Sequence, residues 1–71
     1  MRAIVTAHAA ERWGQRFGGC DMGEAVSRSV PNGRTADGLR RFKDDGTGAV
    51  FVVCRRGHKK RLVVVTVIRE E

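Results

Sequence analysis

The chain has no tyrosine, one proline, one tryptophan and two cysteines in 71 residues. Each scarcity removes a class of explanation. Cys20 and Cys54 stand far apart, in neither a C-x-x-C pair nor a histidine-paired metal spacing. With no secretory leader ahead of them, the expectation is two reduced, buried thiols in a cytoplasmic protein. No apolar run reaches the ~18 residues that a membrane-spanning helix needs, so no membrane association is expected. The chain also lacks a phosphate-cradling glycine loop, a metal-ligand cluster and a serine or cysteine convincingly paired with a histidine. The corresponding enzyme classes lose their machinery, and neither a cofactor nor a metal site is expected. Internal repeats are absent, and a chain this short reads as a single domain over 1–71. A domain of this size buries only roughly 60% of its unfolded surface, so its core is marginal.

Acidic residues are scarce relative to basic ones: eight Asp plus Glu against fourteen Lys plus Arg, a net charge of +6. Eleven of the fourteen are arginine. The planar guanidinium matches phosphate oxygens in a way that the lysine ammonium does not. A small arginine-biased domain points to an anionic partner, with nucleic acid as the leading case.

The most strongly patterned stretch is residues 49–68, AVFVVCRRGHKKRLVVVTVI. Two β-branched runs flank a glycine-containing turn, which predicts a hairpin. Its turn carries Arg55, Arg56, His58, Lys59, Lys60 and Arg61 with no acid among them. The second arm, 62–68, is apolar at both parities. Strict alternation puts Leu62, Val64, Thr66 and Ile68 on one face and Val63, Val65 and Val67 on the other, which predicts a central, doubly covered strand.

Upstream, residues 2–5 read as a short edge strand, and Thr6 as the N-cap of a helix over 7–17. Ala9, Trp13 and Phe17 recur at helical spacing with Ala10 beside them, forming the core stripe. His8, Arg12 and Arg16 recur at the same spacing on a neighbouring face. Asp21 and Glu24 make a capping box for a second helix that runs to Val30 and stops at Pro31. Residues 31–38 read as a polar loop, and 39–43 as a strand that places Arg41 and Lys43 on one face and Arg40 and Phe42 on the other. DDGTG at 44–48 is a hairpin turn. The expected fold is α+β, (β)ααβββ, with two helices on one face of an antiparallel sheet.

The basic side chains suggest a phosphate site. Arg16, Arg40, Arg41, Lys43, Arg55, Arg56, Lys59, Lys60 and Arg61 are the candidate nucleic-acid contacts. Metal-independent RNA cleavage needs a base, an acid and cations around the phosphorane. His8 and His58, the only histidines, are the candidate base and acid, with Arg12 as catalytic cation. Thr66, alone among valines, either satisfies a backbone group or points its hydroxyl into the site.

TAHAAERWGQRFG, a capped second helix ending before Pro31, and strands closing on VVVTVI together resemble the RelE-like toxin superfamily. The closest resemblance is to short BrnT-related proteins of unknown function, carried by His8, Ala9, Arg12, Arg16 and the Thr66 strand. The resemblance implies a metal-independent endoribonuclease acting on RNA, in some cases at the ribosome, with a cognate antitoxin as protein partner. Members of that superfamily often rely on arginine and lysine more than on histidine, which raises Arg12, Arg41, Arg55 and Arg61 as phosphate holders. The chain departs from them in lacking tyrosine and a C-terminal helix. Two other readings stand beside it: a non-catalytic nucleic-acid-binding module from a phage or mobile element, and a small protein that binds a host factor or pairs as a homodimer.

Overall fold

Thr6 opens the first helix. Its backbone is extended (φ −74°, ψ 158°), and its hydroxyl accepts the amide of Ala9 at 3.1 Å, satisfying one donor that a helix start leaves open. In the computed structural model, which describes residues 1–69, this helix, α1, spans Ala7–Phe17 and buries Ala9, Trp13 and Phe17. Ala10, at the margin of the expected stripe, is exposed. Trp13 stacks on Phe17 and Phe51, with ring centroids at 4.5 and 5.8 Å. Its indole N–H donates to the Cys20 carbonyl at 2.9 Å, pinning the segment that follows the helix. Cys20 itself is exposed and Cys54 half-buried, both as free thiols, so only one of the two approaches the expected burial.

The second helix, α2 (Met22–Arg28), is capped by Asp21, whose carboxylate accepts the Glu24 amide at 3.1 Å. It ends two residues before the expected Val30. Ser29 leaves helical geometry, donates its amide to the Ala25 and Val26 carbonyls, and donates its hydroxyl to Val26 at 2.6 Å. With its stop supplied by Ser29, the chain is extended before it reaches the proline.

Val30–Arg34, expected to fall in the end of the helix and the polar loop, forms a strand, β2. It pairs antiparallel with β3 (Arg40–Asp44), with a register irregularity between Pro31 and Arg34. The proline is compatible because β2 lies at the sheet edge, where a missing N–H interrupts no inner ladder. After β3 come β4 (Ala49–Arg56) and β5 (Arg61–Arg69), and the sheet is completed by β1 (Ile4–Val5) in the order β1-β5-β4-β3-β2. Since β1 runs parallel to β5, the sheet is mixed and not purely antiparallel. The α+β class and the placement of both helices on one face stand as expected.

The strand buried on both faces is β4: Ala49 to Val53 are all buried. The expectation had given that role to 62–68, but Val65 is only half-buried and Ile68 is 37% exposed. Strict alternation in β5 also fails. Val52 pairs with Thr66 and Val53 with Val64, so Val65 is an extra residue, a β-bulge. The bulge switches parity. Val64 belongs to the core under the helices, and so does Val67, three residues on. An alternating strand would not place both there.

At the β3–β4 end, the turn is organised by Asp44, whose side chain is 2% exposed. Its carboxylate accepts the amides of Gly46 and Thr47 and the Thr47 hydroxyl at 3.3, 3.2 and 2.8 Å. It also receives two hydrogen bonds from Arg28 at 3.1 and 3.0 Å. The Arg28 bonds, helped by Thr47 and the Gly46 amide, outweigh the cost of burial and hold the Asp44 carboxyl down at about 2. Among the described residues, no helix is long and apolar enough to cross a membrane.

Candidate nucleic-acid interface

The opposite end of the sheet is built differently. β3 reaches only as far as Arg40, opposite Val53, and β1 only as far as Ile4, opposite Val63. β4 and β5 continue past both neighbours as a two-stranded ribbon through Arg55–Leu62 and Arg56–Arg61 to a turn at residues 57–60. Residues 55–61 are all exposed. The turn takes Gly57 at φ 81° and Lys60 at φ 50°, and the Lys60 amide bonds back to Gly57 at 3.1 Å. Arg55 donates to the Lys60 carbonyl at 3.0 Å, bracing the base of the turn.

Three open grooves surround this ribbon. One, about 430 Å³, lies between Arg2, Ala3 and Ile4 on one side and Arg55, Arg61 and Leu62 on the other. The second, about 330 Å³, is lined by Arg34, Leu39, Arg40, Val53, Cys54 and Arg55, among others. The third, about 430 Å³, runs along Ile4, Arg56, His58, Lys59, Arg61 and Val63. Among the described residues, no Asp or Glu side chain lines any of the three. Asp37, in the neighbouring β2–β3 turn, is the nearest acid in sequence to that lining.

Several of these arginines are held in place. Arg34 donates to the Gly38 carbonyl at 3.0 Å, and the Arg40 guanidinium sits 5.1 Å over the Phe42 ring. Such anchoring reduces the side-chain freedom that a phosphate ligand would otherwise have to restrict.

The structure therefore gathers Arg40, Arg55, Arg56, Lys59 and Arg61 around the ribbon, with Lys60 in its turn. It adds Arg2 and Arg34, which the sequence reading had not selected. Arg2 gave no periodic signal, and Arg34 lay in a stretch read as loop. Arg41 and Lys43 are half-buried and pair with Val52 and Val50, away from the groove linings. Arg16 is exposed on α1, and its carbonyl accepts a hydrogen bond from Arg69, whose guanidinium covers the Phe17 ring at 4.8 Å.

The two histidines are not brought together. His8, exposed in the first turn of α1, places Nε2 3.4 Å from the Thr66 hydroxyl, beside the bulge. His58 lies in the ribbon turn beyond Arg61. Thr66 stands five positions along the strand from Arg61, roughly 16 Å at the usual rise. One phosphodiester cannot have both as its base and acid. Arg12, one helical turn from His8, is exposed. Among the described residues, no three His, Cys, Asp or Glu side chains converge as a metal site would require.

No family model, curated protein or solved structure matches this chain significantly.

Proposed function

We propose that this chain binds nucleic acid through the arginine-lined end of its sheet. One observation carries the reading: three grooves meet at a single projecting ribbon, and the charged residues described in their lining are all basic. The net charge of +6 provides long-range attraction, and the local array provides the phosphate contacts. Binding of this type releases counterions, so the logarithm of the affinity falls linearly with the logarithm of salt, by about 0.9 per phosphate neutralised on duplex DNA. Titration of fluorescent oligonucleotides at several salt concentrations tests it. Arg34→Ala with Arg40→Ala should weaken binding and flatten the slope by about 2, one unit for each lost phosphate contact. Binding indifferent to salt, or none at any salt, would sink the proposal.

A second reading, RNA cleavage of the RelE-like kind, is favoured by the His8–Thr66 contact at 3.4 Å. Thr66 follows directly on the bulge at Val65, and bulges commonly re-aim side chains next to reactive sites. On this reading His8 moves the proton, with Arg12 one helical turn away as the nearby cation. Incubation of RNA in EDTA, alone and with a translating extract kept in its own magnesium, tests it. Loss of cleavage in His8→Ala and Arg12→Ala with folding intact would support an enzyme. Absence of cleavage in both settings leaves the binding module.

A further inference from the structure

We infer that the nucleic acid bound here is duplex DNA, and that the β4–β5 ribbon enters its major groove. The inference rests on the binding reading above and adds a ligand class and a docking geometry. Three observations lead to it.

The first is shape. Cys54, Arg55 and Arg56 carry β4 beyond its last partner on β3, which is about 10 Å of strand before the turn begins. The major groove of B-form DNA is about 8.5 Å deep and about 12 Å wide, and it accepts a two-stranded ribbon. The corresponding groove of an RNA duplex is deep and too narrow for side chains to read.

The second is the arrangement of charge about the ribbon. In the strand order, the β1 side carries Arg2, and the β3–β2 side carries Arg40 and Arg34. Cations therefore flank the ribbon on both sides, as the two phosphate backbones flank a groove. Lys59, Lys60 and His58 occupy the leading turn, where they would meet base edges and inner phosphates.

The third concerns what is missing from the surface. Proteins that grip single strands stack bases on aromatic rings. Here Trp13, Phe17, Phe42 and Phe51 are all buried, and the sequence contains no tyrosine. The arginines that might serve as stacking planes are partly committed, Arg40 to the Phe42 ring and Arg55 to the Lys60 carbonyl. A single strand would find charge but no exposed Trp, Phe or Tyr ring.

The experiment is fluorescence anisotropy at one salt concentration with four probes. They are a DNA duplex of about 15 base pairs, roughly one and a half turns, each of its strands alone, and the RNA duplex of the same sequence. The protein is tested as the native chain, as Lys59→Ala/Lys60→Ala, and as Arg34→Ala/Arg40→Ala, with thermal melting to show that all three are folded. The DNA duplex should bind about 10-fold or more tighter than the other probes, a difference of the size that groove contacts supply. The turn variant should erase that preference, whereas the Arg34/Arg40 variant should weaken all probes alike. Methyl green, which occupies the major groove, should displace the protein, and netropsin, which occupies the minor groove, should not. Equal or tighter binding to a single strand or to the RNA duplex overturns the inference and leaves nucleic-acid binding standing. Displacement by netropsin alone also overturns it. Failure to bind any probe overturns both.

Discussion

Two hairpin turns of the sheet, β3–β4 and β4–β5, use charge in opposite ways. At residues 44–49 an acid is folded inward: Asp44 is buried, bonded to its own turn and gripped by Arg28. At residues 56–61 charge is turned outward, on a ribbon that extends past its neighbours and has no acid among its residues. The first turn commits Asp44 and the Thr47 hydroxyl to internal hydrogen bonds, and the charge it leaves exposed, Asp45, is of the wrong sign for an anion. The second is braced by backbone bonds and one arginine–carbonyl contact, leaving its cations available to an outside anion. On the proposed reading, stability and recognition belong to opposite ends of a shared core, and substitutions should separate them.

The largest effect should come from the core that both ends share. Trp13→Ala removes the ring stacked on Phe17 and Phe51, at a cost of about 3–5 kcal/mol. In a domain this small that is most of the net stability, so circular dichroism should show a largely unfolded chain with both ends lost. A folded Trp13→Ala variant would show that the ends do not depend on this core.

Asp44→Ala should come next. It removes the hydrogen bonds organising the turn together with the Arg28 pair, whose share is reduced because Arg28 is half-exposed, about 2 kcal/mol in sum. Urea melts should register the loss, while nucleic-acid affinity at a temperature where the variant is folded should stay unchanged. Any loss of affinity there would break the separation of the two ends.

The same carboxylate predicts a pH dependence. Its folded pKa of about 2 lies below the ordinary value of 3.8. The stabilisation is therefore complete above the unfolded pKa and is lost as pH falls from about 4 through about 2. Acid titration of the folded state should show this loss, and Asp44→Asn should abolish it. A native chain with no loss in that window would contradict the assignment.

Smaller effects belong to the ribbon. Gly57→Ala forces a side chain into φ 81° and should cost about 1 kcal/mol, with a modest loss of binding as the turn loosens. Lys59→Ala with Lys60→Ala should shift stability by less than about 0.5 kcal/mol, because both side chains are exposed. Its effect should appear in binding alone. A larger drop in stability would mean that the ribbon carries structural weight.

Local signals were legible wherever one residue had one task. Thr6, Asp21 and the Ala9–Trp13–Phe17 stripe follow from helix geometry alone, and each is found as expected. β2 was hidden because Pro31 and Gly33 read as loop punctuation, and only an available sheet edge makes them acceptable in a strand. The Val65 bulge was hidden for the opposite reason. When nearly every residue in 62–68 is apolar, hydrophobicity carries no parity, and the register is set by partners elsewhere in the chain. In the candidate site, the cations of the 55–61 turn were visible as a run, but Arg2 and Arg34 join them only through strand order. The separation of His8 from His58 is likewise a property of topology, which spacing along the sequence cannot express.

The pairing of Ile4 with Val63 also orders events in time. β3, β4 and β5 are joined by short turns and can assemble as neighbours. β1 must close a loop over most of the chain, and such distant pairings are the slow part of folding. Refolding should therefore protect the Phe51 amide from hydrogen exchange before that of Thr6, which bonds to the Val64 carbonyl next to the β1 pairing. Arg2 and Ala3 close the wall of one groove, so the ribbon is in place before that groove exists.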